Sequence, residues 1–267
     1  LKKSRPLSIP ALTLGIFLVA NLLNAAERPQ PVKLIFDTDM GNDIDDTLAL
    51  GVIHALQSRG ECELLAVTST KDHPASAPFC DLVNTFYGRG SIPVGKVRNG
   101  KTPEDSKYIQ IPVEQQDNNQ PRFPRTHQSY PEAVQLLRQT LASQPDQSVV
   151  MVTVGFSTNI ARLLDTPADA ASPMNGLDLV RHKVRLLSIM AGMFTPQSRH
   201  KEYNVYIDLE AVDYVAATLS PAVQAQIRAE FNLDDPFPAD SISSANFGIT
   251  LAVETSSGSQ QIGRAHV

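Results

Sequence analysis

A cluster of aspartates in residues 37–46 is the part of this sequence best suited to chemistry. Five carboxylates occur within ten residues, at Asp37, Asp39, Asp43, Asp45 and Asp46. Like charges packed this closely repel one another unless a cation neutralises them. Carboxylate oxygens are the ligands that Ca²⁺ and Mg²⁺ prefer in proteins. The cluster therefore predicts a site for a hard divalent cation.

The patterns on either side place this cluster between a strand and a helix. Residues 32–36 form an apolar run with β-branched members, which predicts a buried strand. Residues 46–58 repeat apolar side chains at a helical period, which predicts a helix. Gly41 permits the tight turn that lets Asp39 and Asp46 converge. The alternative is a solvated acidic loop in which an aspartate only caps the helix.

The rest of the chain alternates predicted strands and helices. Further strands are expected at residues 64–68, 92–94, 149–154 and 184–190. Further helices are expected at residues 77–87, 129–142, 155–164 and 208–219, the second of them opened by a capping box formed by Ser129 and Glu132. Such alternation predicts the α/β class, with a Rossmann-like, mostly parallel sheet flanked by helices. In open sheets of this class, sites form at the carboxyl ends of the strands.

Two segments lack a clear period. Residues 96–127 are polar and rich in Pro, Gln and Asn, and they are longer than most connections in a compact domain. We expect them to form an irregular lid or binding loop. Residues 220–261 mix Pro, Asp, Ser and Ala and predict no particular element.

Composition excludes several classes of protein. The 267 residues are 42% hydrophobic and 19% charged, which is enough apolar material for a full core and excludes general disorder. The net charge is −5 and no basic stripe is present, so we expect no nucleic-acid partner. No apolar run reaches the length of a bilayer span. Two cysteines, Cys62 and Cys80, are too few for a disulfide framework or a four-thiolate zinc site, and their pairing is left open.

The two ends of the chain differ from the rest. Residues 1–26 carry a basic start, an apolar stretch and small residues before Glu27, which is the pattern of a signal peptide. We therefore expect a periplasmic or secreted protein, with no membrane attachment after cleavage. Residues 262–267 resemble a translated sequencing adapter, so we expect one domain over residues 27–261 that is incomplete at its C-terminus.

Five segments together resemble the inosine–uridine preferring nucleoside hydrolase family. The first is the aspartate cluster, with its Asp-Thr-Asp, Gly41 and Asp-Asp elements. The others follow in the family's order, at residues 64–69, 84–95, 153–161 and 190–211. The resemblance spans roughly residues 32–215 and implies an exported, calcium-dependent enzyme that cleaves the N-glycosidic bond of ribonucleosides through an oxocarbenium-like transition state. It also implies a nucleoside substrate and a homo-oligomer.

The resemblance also implies roles for individual residues. Asp39 would be a Ca²⁺ ligand and the general base that takes a proton from the attacking water. Asp46 would be a bidentate Ca²⁺ ligand, and the main-chain carbonyl of Val154 a further one. The ribose hydroxyls would be contacted by Asp45, Asp72, Glu202 and Asn204, with His73 as the alternative to Asp72. Glu202 and Asn204 would share one face of an extended segment. Among the histidines, we expect His54 on a helix face, His182 in solvent, and His127 and His200 in loops that could approach the base, without a substrate contact assigned to either.

Three features depart from the family pattern. Residues 42–44 lengthen the acidic loop, which makes Asp43 a rival of Asp45, and Met40 stands where proline is usual. Pro196 and Gln197 occupy the place of a customary asparagine. The family's distal His–Asp pair has no recognisable counterpart, which puts the calcium shell and the leaving-base contact in doubt.

Two other functions compete with hydrolysis. A haloacid-dehalogenase-like phosphatase also has Asp-x-Asp after its first strand, with Asp37 as the nucleophile, but residues 40–42 do not continue its pattern. A non-catalytic exported protein that binds nucleosides or sugars would explain the missing distal pair.

Overall fold

The structure, a computed structural model, describes residues 30–192 and 201–219 together with Arg228, Ser244–Ala245 and Val253–Glu254. The predicted signal peptide, the adapter-like residues 262–267 and most of residues 220–261 lie outside this part of the chain. Within the described ranges, no helix combines the length and apolarity that crossing a bilayer requires.

A six-stranded sheet is the centre of the described part. In sheet order its strands are β10 (Val253–Glu254), β7 (Val184–Ile189), β6 (Val149–Thr153), β1 (Val32–Thr38), β2 (Cys62–Lys71) and β3 (Val94–Lys101). The five strands from β7 to β3 run parallel, and β10 pairs antiparallel with β7. The predicted α/β class with a mostly parallel sheet is therefore confirmed.

Helices follow the strands along the chain. They are α1 (Asp45–Ser58), α2 (Ser76–Phe86), α3 (Gln110–Glu114), α4 (Ala133–Ala142), α5 (Thr158–Leu164), α6 (Gly176–Lys183), α7 (Tyr203–Ile207) and α8 (Leu209–Leu219). Two short strand pairs complete the described elements, namely β4 (Gln116–Asp117) with β5 (Gln120–Pro121), and β8 (Lys201–Glu202) with β9 (Ser244–Ala245).

Alternate residues of the central strands enter two separate cores. In β1, Leu34 and Phe36 pack in one core and Ile35 packs in the other. The first core takes side chains from α1 and α2, and the second from α4, α5 and α6. Strands covered by helices on both faces read as continuous apolar runs, which is why the strand patterns of this sequence were easy to detect.

The structure corrects three local predictions. Strand β3 begins at Val94 and continues to Lys101, into residues that we assigned to the irregular segment. Pro93 directly precedes this edge strand, where a missing N–H costs no ladder bond. Glu132 does not complete a capping box with Ser129; it is itself the N-cap of α4 and accepts a hydrogen bond from the Gln135 N–H at 3.0 Å. Helix α6 was not predicted, because its apolar residues are too few to set a period.

The two cysteines do not pair. Cys62 and Cys80 are both free thiols and both buried. Burial raises the pKa of each thiol, so the two thiols are unreactive near neutral pH.

His54 lies inside the fold, where we expected it only on a helix face. It has no exposed surface, and its Nε2 lies 2.9 Å from the side-chain amide oxygen of Asn84. Its Nδ1 faces a guanidinium nitrogen of Arg89 at 3.3 Å, and the ring stacks on Tyr87. A guanidinium can only donate, so Nδ1 must accept and the imidazole is neutral.

This arrangement predicts a pH-dependent contribution to stability. Burial lowers the pKa of His54 below its ordinary 6.5 in the folded state. As the pH falls below that value, the unfolded chain binds a proton that the folded chain does not, so the free energy of unfolding decreases, by at most about 1.4 kcal/mol per pH unit for one proton. Denaturant unfolding of His54→Gln should show a flatter pH dependence than the native protein. Replacing the exposed His182 by Gln is the matched control and should leave the slope unchanged.

Candidate active site

The aspartate cluster lies at the point where the sheet reverses its order. Strand β1 lies between β2 and β6, so the chain turns one way after β1 and the other way after β6. The loops that follow these two strands diverge and leave a crevice at their carboxyl ends, which is the usual ligand position in such sheets. Residues 39–44 leave β1 at this crevice, and Val154 and Gly155 leave β6 beside them.

Asp37 forms the buried base of the crevice. It is 1% exposed, and its Oδ1 accepts hydrogen bonds from the Thr68 hydroxyl at 2.6 Å and the Asn159 amide at 2.8 Å. Its Oδ2 is buried with no hydrogen-bond partner among the described residues. Burial raises the pKa of Asp37 to about 7. The side chain ties β1 to β2 and α5, which is a positioning role.

Asp39 and Asp46 are brought together as the sequence predicts. Each is 4% exposed; Asp39 accepts a hydrogen bond from the Asn42 amide at 2.7 Å, and Asp46 accepts one from the Thr38 hydroxyl at 2.6 Å. Burial is the main cause that raises the pKa of both carboxyl groups, and their proximity adds to the increase for Asp46. Two buried carboxyl groups side by side are therefore poorly neutralised by the surrounding protein.

Asp43 and Asp45 extend this pair toward solvent. Both residues are exposed, and one carboxylate oxygen from each of Asp43, Asp45 and Asp46 lies within 4.8 Å of the others. Asp45 also accepts a hydrogen bond from the Asp46 N–H at 3.1 Å. Partial desolvation is the main cause that raises the pKa of Asp43 to about 7, and the charge of the neighbouring Asp45 is the next largest cause. The longer loop therefore places Asp43 in the cluster instead of excluding it.

Two glycines allow the backbones around the cluster to approach each other. Gly41 has φ of +116°, and a Cβ there would meet the side chain of Ile109 at 2.5 Å. A Cβ at Gly155 would lie 2.5 Å from the backbone nitrogen of Asp39. The turn after β6 therefore touches the acidic loop directly, and only glycine fits there. The neighbouring Val154 donates its N–H to the Asp37 carbonyl at 2.8 Å.

Glu202 and Asn204 meet this turn from the other side, but only Glu202, the last residue of β8, is extended. Glu202 is the N-cap of α7, and its carboxylate accepts hydrogen bonds from the backbone N–H groups of Asn204 at 2.8 Å and Val205 at 2.9 Å. Asn204 lies in the first helical turn and donates its side-chain amide to the Val154 carbonyl at 2.8 Å. The extended prediction was wrong because the acidic cap starts a helix there. Both side chains are nevertheless buried beside the crevice.

The structure places the side chains of Asp72 and His73 next to β3 and the segment that follows it. Asp72 accepts a hydrogen bond from the Gly100 N–H at 2.9 Å, so its carboxylate is directed toward β3, on the side of β2 away from β1. His73 Nε2 lies 3.2 Å from Asp105. His127 Nε2 contacts the carbonyl of Ile92, and His200 lies outside the described residues. A contact of Asp72 with the sugar stays a prediction.

The long segment after β3 contributes two residues that sequence reasoning missed. The Tyr108 hydroxyl donates to the Asp43 carbonyl at 2.5 Å and lies 3.2 Å from the Thr47 hydroxyl. Lys71 is 2% exposed and donates to the Thr102 carbonyl at 2.7 Å; burial lowers its pKa, and the charges of Glu104 and Asp39 partly oppose that. A lysine directly after a run of polar strand residues was the available signal for Lys71, whereas nothing in the spacing singled out Tyr108.

The finished geometry presents oxygen ligands and proton acceptors together. The buried carboxylates of Asp39 and Asp46 form the floor of the crevice, and the exposed carboxylates of Asp43 and Asp45 form one wall. The Val154 carbonyl and the side-chain amide that donates to it form the other wall. Such a set can hold a hard cation and hydrogen-bond a polyol. It can also accept a proton, because burial keeps the carboxyl pKa values high.

Comparison with known proteins gives one family and one fold. Residues 34–234 match the family model described as inosine-uridine preferring nucleoside hydrolase. A curated relative is the pyrimidine-specific ribonucleoside hydrolase RihA of Citrobacter koseri, which is 27% identical over 224 residues. That match covers 76% of this chain and 64% of the relative, so the chain spans slightly under two thirds of the relative's length.

Solved structures with the same fold include two effector proteins. The type III effector protein XopQ, solved with adenosine diphosphate ribose, matches with a TM-score of 0.54 and 19% identity over 77% of this chain and 59% of its own. The effector protein XOO4466 matches with a TM-score of 0.51 and 21% identity, over 86% of this chain and 60% of its own. At these identities the likeness concerns the fold alone.

Proposed function

The chain belongs to the inosine-uridine preferring nucleoside hydrolase family, and from that premise we propose that the protein hydrolyses the N-glycosidic bond of ribonucleosides to give ribose and a free base. The observation that carries the proposal is the buried pair Asp39 and Asp46 at the crevice between β1 and β6, with Glu202 and Asn204 against the facing turn. Family membership also argues against the phosphatase alternative, in which Asp37 would attack.

We further propose that the site holds Ca²⁺. The donor set fits a hard cation, because Asp39 and Asp46 are buried together with raised pKa values and no described cationic side chain hydrogen-bonds to either. Asp39, Asp46 and the Val154 carbonyl would hold the ion. A set that mixes carboxylates with a main-chain carbonyl suits Ca²⁺ better than Mg²⁺, which keeps more of its own water. When bound, the ion would supply positive charge that orders sugar hydroxyls and makes nearby water more acidic.

The chain's own residues would perform the proton transfer and hold the sugar. Asp39 would accept the proton of the attacking water, and burial makes its carboxylate a better base than an exposed one. Asp45, Glu202 and Asn204 would bind the ribose hydroxyls, with Asp43 as an additional acceptor beside Asp45. The negative charges of the cluster would stabilise the oxocarbenium-like sugar as it forms. Asp37 would keep Asn159 and Thr68 in place beneath them.

A direct test measures the release of free base before chelation of the metal, after chelation, and after Ca²⁺ is added back. Inosine and uridine are the first substrates to compare, since the family is named for them and one relative is pyrimidine-specific. We expect turnover of at least one of the two, loss of activity by at least about a hundredfold after chelation, and recovery with Ca²⁺.

Two outcomes would contradict parts of the proposal. If chelation leaves turnover unchanged, the proposed role of the metal is excluded, whereas the proposed hydrolase activity stands. Binding of nucleoside by calorimetry without release of base would favour the non-catalytic binding protein instead.

A further inference from the structure

Residues 102–109, which we call the covering segment, lie against the acidic loop that follows β1. Ile109 has no exposed surface, and its Cδ1 lies 2.5 Å from the position that a Cβ of Gly41 would take. The stem of Lys71 packs on the same glycine, with its Cδ 3.3 Å from that position, and its Nζ donates to the Thr102 carbonyl at 2.7 Å. The covering segment is therefore held at both of its ends, beside the turn of the acidic loop.

Tyr108 connects the covering segment to the part of the acidic loop that departs from the family pattern by its length. Its hydroxyl donates to the Asp43 carbonyl at 2.5 Å and lies 3.2 Å from the Thr47 hydroxyl. A phenol has one proton to donate, so the Thr47 hydroxyl must be the donor in the second contact. Burial raises the pKa of Tyr108 above its ordinary value, so the phenol stays a donor at neutral pH. The ring packs edge-on against Phe79 at 5.6 Å, which restricts its orientation.

The Asp43 side chain needs such a restraint, because its neighbours carry like charges. One carboxylate oxygen from each of Asp43, Asp45 and Asp46 lies within 4.8 Å of the others, and Asp43 is exposed. Repulsion moves an exposed side chain on a loop away from such a cluster unless its backbone is held. Within the described part of the chain, Tyr108 is the one residue whose side chain hydrogen-bonds to the Asp43 backbone.

We propose that Tyr108 is a positioning residue for the sugar of the substrate. By holding the Asp43 carbonyl, its hydroxyl keeps the Asp43 carboxylate in the cluster, where that carboxylate accepts a hydrogen bond from a ribose hydroxyl. The inference rests on the proposed function and deepens it, because it gives the lengthened loop a task in binding the sugar. A carboxylate that is already in place loses less conformational entropy when the sugar binds, so Tyr108 strengthens substrate binding and not the bond-breaking step.

Steady-state kinetics of Tyr108→Phe test this role. The substitution removes the hydroxyl and keeps the ring that packs on Phe79. We expect KM for the nucleoside to rise about tenfold and kcat to change by less than about twofold, because the lost hydrogen bond supports binding of the substrate and of the transition state equally. An unchanged KM would overturn the proposal.

Tyr130→Phe is the matched control. Tyr130 is half-buried like Tyr108, and its hydroxyl donates to the buried Asp81 at 3.0 Å, outside the acidic loop. The variant should keep the KM of the native chain. Equal increases in KM for the two variants would show that the loss of a half-buried hydroxyl acts through general stability, which would also overturn the proposal.

A double-mutant cycle tests whether Tyr108 acts through Asp43. Asp43→Ala removes the carboxylate but keeps the backbone carbonyl to which Tyr108 donates. Since no carboxylate is then left to position, adding Tyr108→Phe to Asp43→Ala should raise KM by less than about twofold further. Independent increases in KM that multiply in the double variant would contradict the proposed route through Asp43.

Hydrogen exchange of the backbone amides reports on the loop without requiring activity. Peptides that cover residues 39–46 should exchange at least about fivefold faster in Tyr108→Phe than in the native chain, whereas Tyr130→Phe should match the native chain. A native chain without turnover would contradict the proposed function, and faster exchange in Tyr108→Phe would still support the restraint on the loop. Equal exchange in Tyr108→Phe and the native chain would overturn the inference whether or not the chain is active.

Discussion

Replacing Asp39 by Asn should lower the rate of base release by about a thousandfold, which is within the range that general-base catalysis contributes. Asparagine keeps the shape of the side chain and a carbonyl oxygen, so the hydrogen bond from the Asn42 amide can persist. It cannot accept the proton of the attacking water at neutral pH. It also removes a negative charge from the proposed Ca²⁺ site, so the affinity for Ca²⁺ should fall. Steady-state rates at saturating Ca²⁺, with calorimetric titration of the metal, separate the two effects.

Asp37→Asn is the matched control for that substitution. Asp37 is two residues away, equally buried, and also has a raised pKa, but its Oδ1 is occupied by the hydroxyl of Thr68 and the amide of Asn159. An asparagine can keep both bonds, so hydrolysis should fall far less than in Asp39→Asn. A phosphatase of the haloacid-dehalogenase type would give the reverse order, because Asp37 would be its nucleophile. Equal activity of the Asp39→Asn variant and the native protein would exclude Asp39 as the base.

The elements around this site were predictable where burial sets a regular pattern. Strand β1 is covered on both faces, so its residues 34–36 are continuously apolar up to Asp37. The change to closely spaced aspartates then identifies the carboxyl end of a central strand, where ligands bind. The convergence of Asp39 and Asp46 followed from Gly41, whose φ of +116° is the turn that glycine permits.

Contacts between distant segments were not predictable in this way. Tyr108 reaches the Asp43 carbonyl across 65 residues of sequence, and Lys71 reaches the Thr102 carbonyl across 31. These contacts depend on how the segment after β3 folds back over the acidic loop, and polar loop residues carry no period that would reveal it. The same limit applied to Asp72, whose direction toward β3 is set by one backbone N–H of Gly100.

The N-cap of α7 could not be predicted either, because a glutamate before a helix and a glutamate in an extended loop look the same in sequence. In the structure the Glu202 carboxylate accepts hydrogen bonds from the backbone N–H groups of Gly192, Asn204 and Val205, at 3.3, 2.8 and 2.9 Å. This fixes the first turn of α7, which carries Asn204 to the Val154 carbonyl. Glu202 thus positions a second candidate sugar ligand in addition to its own proposed contact.

Glu202→Gln should therefore reduce both stability and hydrolysis. An amide group replaces one carboxylate oxygen and directs its own N–H groups toward backbone donors, so at least one buried donor loses its partner. We expect the free energy of unfolding to fall by about 1–3 kcal/mol, and kcat/KM to fall by about a hundredfold because the sugar contact and the position of Asn204 change together. Denaturant unfolding and steady-state kinetics well below the unfolding transition measure the two effects.

The N-cap of α4 supplies a control with the same chemistry away from the site. Glu132 accepts one backbone N–H and is only half-buried, so Glu132→Gln should cost less than about 1 kcal/mol and leave kcat/KM unchanged. A double-mutant cycle between Glu202→Gln and Asn204→Ala then decides whether Glu202 acts through Asn204. If it does, the double variant should be little worse than the more impaired single variant. Fully additive losses would show that the two side chains contribute to hydrolysis independently.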